Sequence, residues 1–488
     1  SMDVTLETSH DSRPIITTRD SQRLNVFMVE VTLSDRFFAM IIYTCVYVRG
    51  NEIEWSINSY NSRLEMLKKE NERGTIYASN GEVLAITRID EDGIEYRSYP
   101  YENAFSHVVG YESRGYLGIE ALANYYLLHS HESLRGQVSN AMYGEKNEGD
   151  SVYTTLDVEL QLAAYEALGN NDGAVIVTEP STGKILAMVS KPDFNPNTLK
   201  EIWEDIVKDS DNSVLLNRTT QGLYAPGSTF KIITTLEYLR ENDNDTTSYC
   251  YECDGAYKTE DGIINCYHGT KHKTVDLKDS FAQSCNSSYA NIGSGLNEYR
   301  LKTTLKDLMF QSKLPLQLPT LQSKLVVNKN TTKQEMLQYS IGQGDTLMTP
   351  MHMNLITQAI ANDGILMEPM LLEKVTNNKG IMVKTFKTDE YKELMTEEEA
   401  SILKEFMNEV VISGTAKTLQ SENYTSAGKT GSAEFSSNAD ACHSWFVGFA
   451  HQEGKNDIAV AVLVEEAGSG SSVAVPIAKK IFDAYFAE

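Results

Sequence analysis

Basic residues are scarce beside acidic ones: 43 Lys and Arg stand against 68 Asp and Glu, a formal charge of -25. No long Lys/Arg cluster offsets this, so the surface repels phosphate and a general nucleic-acid binder is excluded. Cysteine is scarce as well, and six in 488 residues are too few for a disulfide scaffold. The chain has no repeat of fixed period and no low-complexity linker. It also lacks a long apolar run. The best, Phe37 to Val48, is closed by Arg49 and bounded upstream by Asp35, Arg36 and Glu30. As a helix it covers roughly 18 Å, against about 30 Å of hydrocarbon in a bilayer. Residues 37–49 therefore read as a partial membrane anchor, with a buried helix or strand as the alternative, and residues 1–36 stay unassigned.

What is present is globular: 41% hydrophobic and 23% charged residues in a chain long enough for at least two packed units. Residues 50–150 form the first unit. An amphipathic helix is expected over 51–72, then two short strands around the Asn80-Gly81 turn. Residues 151–488 form the second. Val152 to Leu156 reads as a strand, and Asp157 caps a helix from Val158 to Leu168. Ala174 to Thr178 and Lys184 to Ser190 flank Glu179-Pro180-Ser181-Thr182-Gly183, a hairpin signal. Helical patterns follow, then strands at Ser444 to Ala450 and Ile458 to Val464, and a last helix from Val475 to Phe486. This order predicts an α+β fold with an antiparallel sheet packed by helices.

Three short patterns carry chemistry. In Tyr224-Ala225-Pro226-Gly227-Ser228-Thr229-Phe230-Lys231 the Pro-Gly pair breaks the chain before a helix, placing Ser228 at its N-terminus. Residues three apart share a helix face, so the Lys231 amine lies beside the Ser228 hydroxyl. The helix dipole and partial burial favour a neutral amine, which can take the serine proton. Ser181 to Lys184 has the same spacing but sits in a hairpin turn, with no helix to align it. Ser284-Cys285-Asn286 follows a helical pattern from Val275 to Ala282 and offers a hydroxyl and a carboxamide in one turn, one to relay a proton and one to hold an amide. Lys429-Thr430-Gly431-Ser432 occurs in a stretch of small residues, where a strand edge can approach a substrate backbone and Lys429 can meet a carboxylate. A phosphate loop is excluded because the upstream glycine that its pattern requires before Gly428 is absent.

Taken in order, Ser228-x-x-Lys231, Ser284-x-Asn286 and Lys429-Thr430-Gly431 resemble the active-site motifs of penicillin-binding proteins and serine β-lactamases. Arg73-Gly74-x-Ile76, Gly118-Ile119-Glu120, Ser340-Ile341-Gly342-Gln343-Gly344, Thr349-Pro350, Ser413-Gly414-Thr415 and Trp445-Phe446-Val447-Gly448 extend the resemblance to the class B members over residues 50–488. It implies a penicillin-binding transpeptidase domain, an antiparallel sheet sandwiched by helices, behind an elongated N-terminal pedestal. It implies a D,D-transpeptidase on the extracytoplasmic face of the cell membrane. Its substrates would be stem peptides ending in D-Ala-D-Ala, its inhibitors β-lactams, and its partners membrane-bound cell-wall synthesis proteins. Ser228 would be the nucleophile, Lys231 the base, Ser284 the relay and Asn286 a substrate contact. Lys429 and Thr430 would hold the carboxylate, beside Gly431, and the Ser228 and Ser432 N–H groups would form an oxyanion hole. A D,D-carboxypeptidase or a β-lactam sensor without turnover are the alternatives. His443, before Trp445, and His107 read as structural.

No cofactor is required by this chemistry. A separate cluster, Cys250-x-x-Cys253 followed by Cys266-Tyr267-His268, with His272 and Cys285 nearby, has spacing that permits a structural zinc held by Cys250, Cys253, Cys266 and His268. A Cys253–Cys266 disulfide and unpaired thiols are the other two readings.

Overall fold

Turn and cap residues set most element boundaries in the computed structural model, which describes residues 62–209, 213–434 and 442–486. The tail 1–36, the segment 37–49 and the start of the expected 51–72 helix lie outside the described residues. That helix is seen as α1, Ser62–Glu70. It stops two residues short of expectation because Asn71 and Glu72 are drawn into a strand pairing with 147–148, with the Asn71 amide donating to the Leu128 carbonyl at 2.8 Å.

The elements that position the site follow in chain order. β1 (Ile76–Tyr77) and β2 (Val83–Ile89) flank the Asn-Gly turn, and β3 (Glu95–Ser98) continues the meander. β4 (Ser151–Thr154) pairs in parallel with β1. α2 (Val158–Leu168) begins where the Asp157 carboxylate accepts the Leu160 N–H at 2.9 Å. β5 (Gly173–Thr178) and β6 (Ile185–Lys191) form the expected hairpin. α3 (Lys231–Glu241) follows, then four short strands: β7 (Cys250–Cys253), β8 (Ala256–Thr259), β9 (Gly262–Asn265) and β10 (Lys273–Asp276). Next come α4 (Leu277–Ala282), α5 (Asn286–Gly295) and α6 (Pro350–Ala361). β11 (Leu372–Thr376), β12 (Met382–Thr385) and α7 (Glu397–Ile412) lead to β13 (Thr425–Glu434), β14 (Cys442–His451), β15 (Ile458–Val464) and α8 (Val475–Phe486).

The main sheet runs β13-β14-β15-β5-β6, antiparallel throughout. Every residue of β5, β6 and β15 is buried, which requires cover on both faces. α2 and α8 pack together on one side and α6 on the other, so the expected helix–sheet–helix sandwich is present. The second sheet, β12-β11-β4-β1-β2-β3, combines pedestal strands with two strands from beyond residue 370. Sequence neighbours alone do not reveal that sharing. Inside the pedestal, buried Glu120 takes Arg73 at 2.6 Å and Arg97 at 2.7 Å. Burial would raise its carboxyl, but the two guanidiniums hold it below the usual value.

Candidate active site

Ser228 lies in a single 3-10 turn, Gly227–Phe230, which runs on into α3 at Lys231. The turn is tied down on two sides. Trp445 Nε1 donates to the Ala225 carbonyl at 3.1 Å, and the Gly227 N–H donates to the Gly342 carbonyl at 3.0 Å. Ser228 is half-buried, whereas Lys231 is fully enclosed. The Lys231 amine donates to the Ser284 carbonyl at 2.9 Å, the Ser284 hydroxyl at 3.1 Å and Asn286 Oδ1 at 2.7 Å. Loss of water around the ammonium is the main force on its titration, only partly offset by the thiols of Cys285 and Cys266, and it brings the Lys231 pKa down to about 7.

Ser284 sits at the sharp bend between α4 and α5 with φ +54°, a conformation rare outside glycine. The bend turns both Ser284 and Asn286 toward Lys231. From the opposite wall, Lys429 on β13 donates to the Ser284 hydroxyl at 2.9 Å and to the Thr430 carbonyl at 3.1 Å. Burial first, and then the charge of Lys231, push the Lys429 pKa well below that of a free lysine. One hydroxyl therefore accepts from two amines. With both lone pairs used, its own proton remains to be donated.

β13 is an edge strand of the main sheet. Its Gly431-Ser432 stretch lies against the nucleophile turn: a methyl on Gly431 would reach the Pro226 carbonyl at 3.0 Å, and one on Gly227 the Ser432 carbonyl at 3.0 Å. The backbones of Ser228 and Ser432 are thereby side by side. Sequence reasoning missed two partners. Thr415 Oγ1 lies 2.6 Å from Thr430 Oγ1, and the Asn265 carbonyl accepts from Asn286 Nδ2 at 3.0 Å. Thr415 was visible only inside a resembling block, because nothing in its spacing links it to Thr430. The other pair, Ser181 and Lys184, sits in the β5–β6 hairpin loop, where Lys184 pairs with Glu373. His443 accepts the Glu466 N–H and its ring meets Tyr224 edge-on. Buried His107 bonds the Pro192 carbonyl at 3.1 Å.

The proposed zinc ligands need correction. Cys250 and Cys253 lie three apart on strand β7, so their side chains leave opposite faces, and Cys250 is exposed. His268 lies in the exposed turn Tyr267–Gly269, its ring against Tyr267. Among the described residues, the gathered donors are Cys253, Cys266, His272 and Cys285.

Comparison with protein families matches residues 173–483 to the penicillin binding protein transpeptidase domain. The chain belongs to this family. Residues 73–152 match the penicillin binding protein A dimerisation domain, the class B arrangement. The peptidoglycan D,D-transpeptidase PbpA of Mycolicibacterium smegmatis is 30% identical over 86% of this chain and 90% of that protein. Penicillin-binding protein A from M. tuberculosis, solved as a ceftriaxone acyl-enzyme complex, superimposes with TM-score 0.78 at 26% identity, covering 87% of this chain and 100% of that one. The D,D-transpeptidase domain of a peptidoglycan glycosyltransferase from Eggerthella lenta gives 0.76 at 27% identity, covering 85% and 98%.

Proposed function

We propose that the chain is a peptidoglycan D,D-transpeptidase, a serine acyltransferase that cross-links stem peptides and is acylated by β-lactams. The observation that carries this is the hydroxyl of Ser284, shared by Lys231 and Lys429 at 3.1 and 2.9 Å on facing walls of one cleft. Neutral Lys231 takes the proton of Ser228 as Oγ bonds the carbonyl carbon of the penultimate D-Ala. The resulting oxyanion lies between the N–H groups of Ser228 and Ser432, a preorganised pair of donors. As the C–N bond breaks, Ser284 gives its proton to the leaving D-Ala amine and is reprotonated by Lys231. Lys429 and Thr430, the latter braced by Thr415, hold the terminal carboxylate. Asn286 fixes Lys231 and offers its amide to the substrate. An amine of a second stem peptide then attacks the ester, and Ser228 leaves with its proton restored.

The catalytic domain works on the extracytoplasmic side, where such peptides are. Residues 37–49 would anchor it to the cell membrane, beside membrane-bound cell-wall synthesis proteins as partners. Among the described residues no helix is long and apolar enough to cross a membrane. The test is mass analysis of products from a D-Ala-D-Ala stem-peptide mimic with an acceptor amine. Release of D-Ala with formation of the cross-linked product supports transpeptidation. Release of D-Ala with hydrolysed peptide alone indicates a carboxypeptidase, and a persistent adduct without D-Ala turnover a sensor.

A further inference from the structure

We propose that Cys253, Cys266, His272 and Cys285 form a structural zinc site that holds the Ser284-Cys285-Asn286 turn in its working shape. The four donor atoms lie within 4.8 Å of one another, and all three cysteines are buried. Sγ of Cys253 is 3.7 Å from Sγ of Cys266, which is 3.8 Å from Sγ of Cys285, and Cys253 Sγ is 3.4 Å from His272 Nδ1. Tetrahedral bonds of about 2.3 Å to sulfur and about 2.0 Å to nitrogen place sulfurs roughly 3.8 Å apart and sulfur and nitrogen roughly 3.5 Å apart. The observed spacings are those of a zinc tetrahedron. They are nearly twice the ~2.05 Å of a disulfide.

The surroundings suit a metal thiolate. Ser287 Oγ lies 3.1, 3.3 and 3.4 Å from the sulfurs of Cys253, Cys266 and Cys285. The N–H groups of Ser287 and His272 donate to Cys266 and Cys253, each at 3.4 Å. Donors of this kind orient and stabilise bound sulfur. Three thiolates and an imidazole are a soft set that selects zinc over magnesium or calcium, and four protein ligands leave no open position, the mark of a structural site. Each thiol that binds gives up its proton to solvent.

The fold supplies a reason for a staple here. β7 pairs with β10, with Cys253 opposite Lys273, and β8 pairs with β9. Both ribbons expose much of their length, and their buried cluster is the three cysteines with Tyr251 packed against them. Ribbons so small lack the apolar area to hold themselves in place. The link to the active site is short. Cys285 separates Ser284 from Asn286, and Asn286 is also held by the carbonyl of Asn265, the residue before Cys266. The metal would thus grip the turn from two sides, keeping Ser284 at φ +54° and Asn286 on Lys231.

The effect on activity rests on the acyl-transfer reading, whereas the metal count does not. The full chain, purified without chelator, is analysed for zinc by elemental mass spectrometry and for acylation rate with a fluorescent penicillin. About one zinc per chain is expected, retained in Cys250→Ser and His268→Ala and lost in Cys266→Ser and His272→Ala. Cobalt exchanged into the site should show the absorption of a tetrahedral thiolate complex, a readout independent of folding yield in the variants. Removing the metal should slow acylation at least tenfold, with recovery on adding zinc back. Zinc well below one equivalent in the parent, with Cys253 and Cys266 disulfide-linked or all thiols free, overturns the site. Full zinc with acylation unchanged by its removal overturns the positioning role. No acylation of the zinc-loaded parent at all faults the acyl-transfer reading instead.

Discussion

Lys231 is enclosed and bound to three oxygens, yet its most basic feature is that burial brings its pKa to about 7. Because the active form is the neutral amine, acylation should rise with pH, about tenfold per unit below the midpoint, and level off above about pH 7. Stopped-flow acylation by a penicillin across pH 5–9 checks this. Lys231→Ala should lower the rate by about 10²–10⁴-fold and flatten the profile. Thr415→Val removes one of two hydroxyls 2.6 Å apart and should weaken substrate by about 0.5–1.5 kcal/mol, seen as a higher KM at little change in kcat. At this scale three motifs in order restrict one another and point to Lys231, Ser284, Asn286 and Lys429, whose side chains are linked by hydrogen bonds, while Ser228 stands in the turn that leads directly into Lys231. It failed where the chain's path decides: His272 joins Cys253 through the β7–β10 register, whereas His268, nearer to Cys266 in sequence, is turned outward.

Elements place these residues by close approach. Gly342 has φ +74°, and a methyl there would stand 2.0 Å from the Gly227 carbonyl, inside the nucleophile turn. Gly342→Ala should therefore displace Ser228, lowering both the melting temperature and the acylation rate, while a surface Gly454→Ala, with nothing within 4 Å, should leave acylation unchanged. Gly428 and Gly448 face each other across β13 and β14, and the Phe446 ring lies over both, which fixes the edge strand carrying Lys429. Local signals announced most of this level: the Asp157 cap, the β5–β6 turn, β15 and α8 appear where turn chemistry and periodicity put them. Where the pattern misled, tertiary pairing overrode it. Val275 reads as helical but lies in β10, because the chain must pair with β7 before Asp276 caps α4.

The whole molecule is joined by strands far apart in sequence. β11 pairs with β4, whose other neighbour is β1, so the second sheet joins pedestal strands to strands from beyond residue 370. That sharing has no local signature, since it depends on contacts between residues more than 200 positions apart. The pedestal's own centre is Glu120 between Arg73 and Arg97. Glu120→Gln leaves buried guanidinium charge short of a partner and should cost about 3–5 kcal/mol of stability, measured by denaturant unfolding. Since the folded state holds this carboxyl below its ordinary pKa, its contribution is full above the unfolded value and fades as pH falls through the folded one. The gap between parent and variant should narrow accordingly in acid.

The most direct test of the central claim is intact-mass measurement of the full chain after exposure to penicillin, beside Ser228→Ala. One stoichiometric adduct on the parent and none on the variant is the predicted result. An adduct that persists without the Ser228 hydroxyl, or no adduct on the parent, contradicts it.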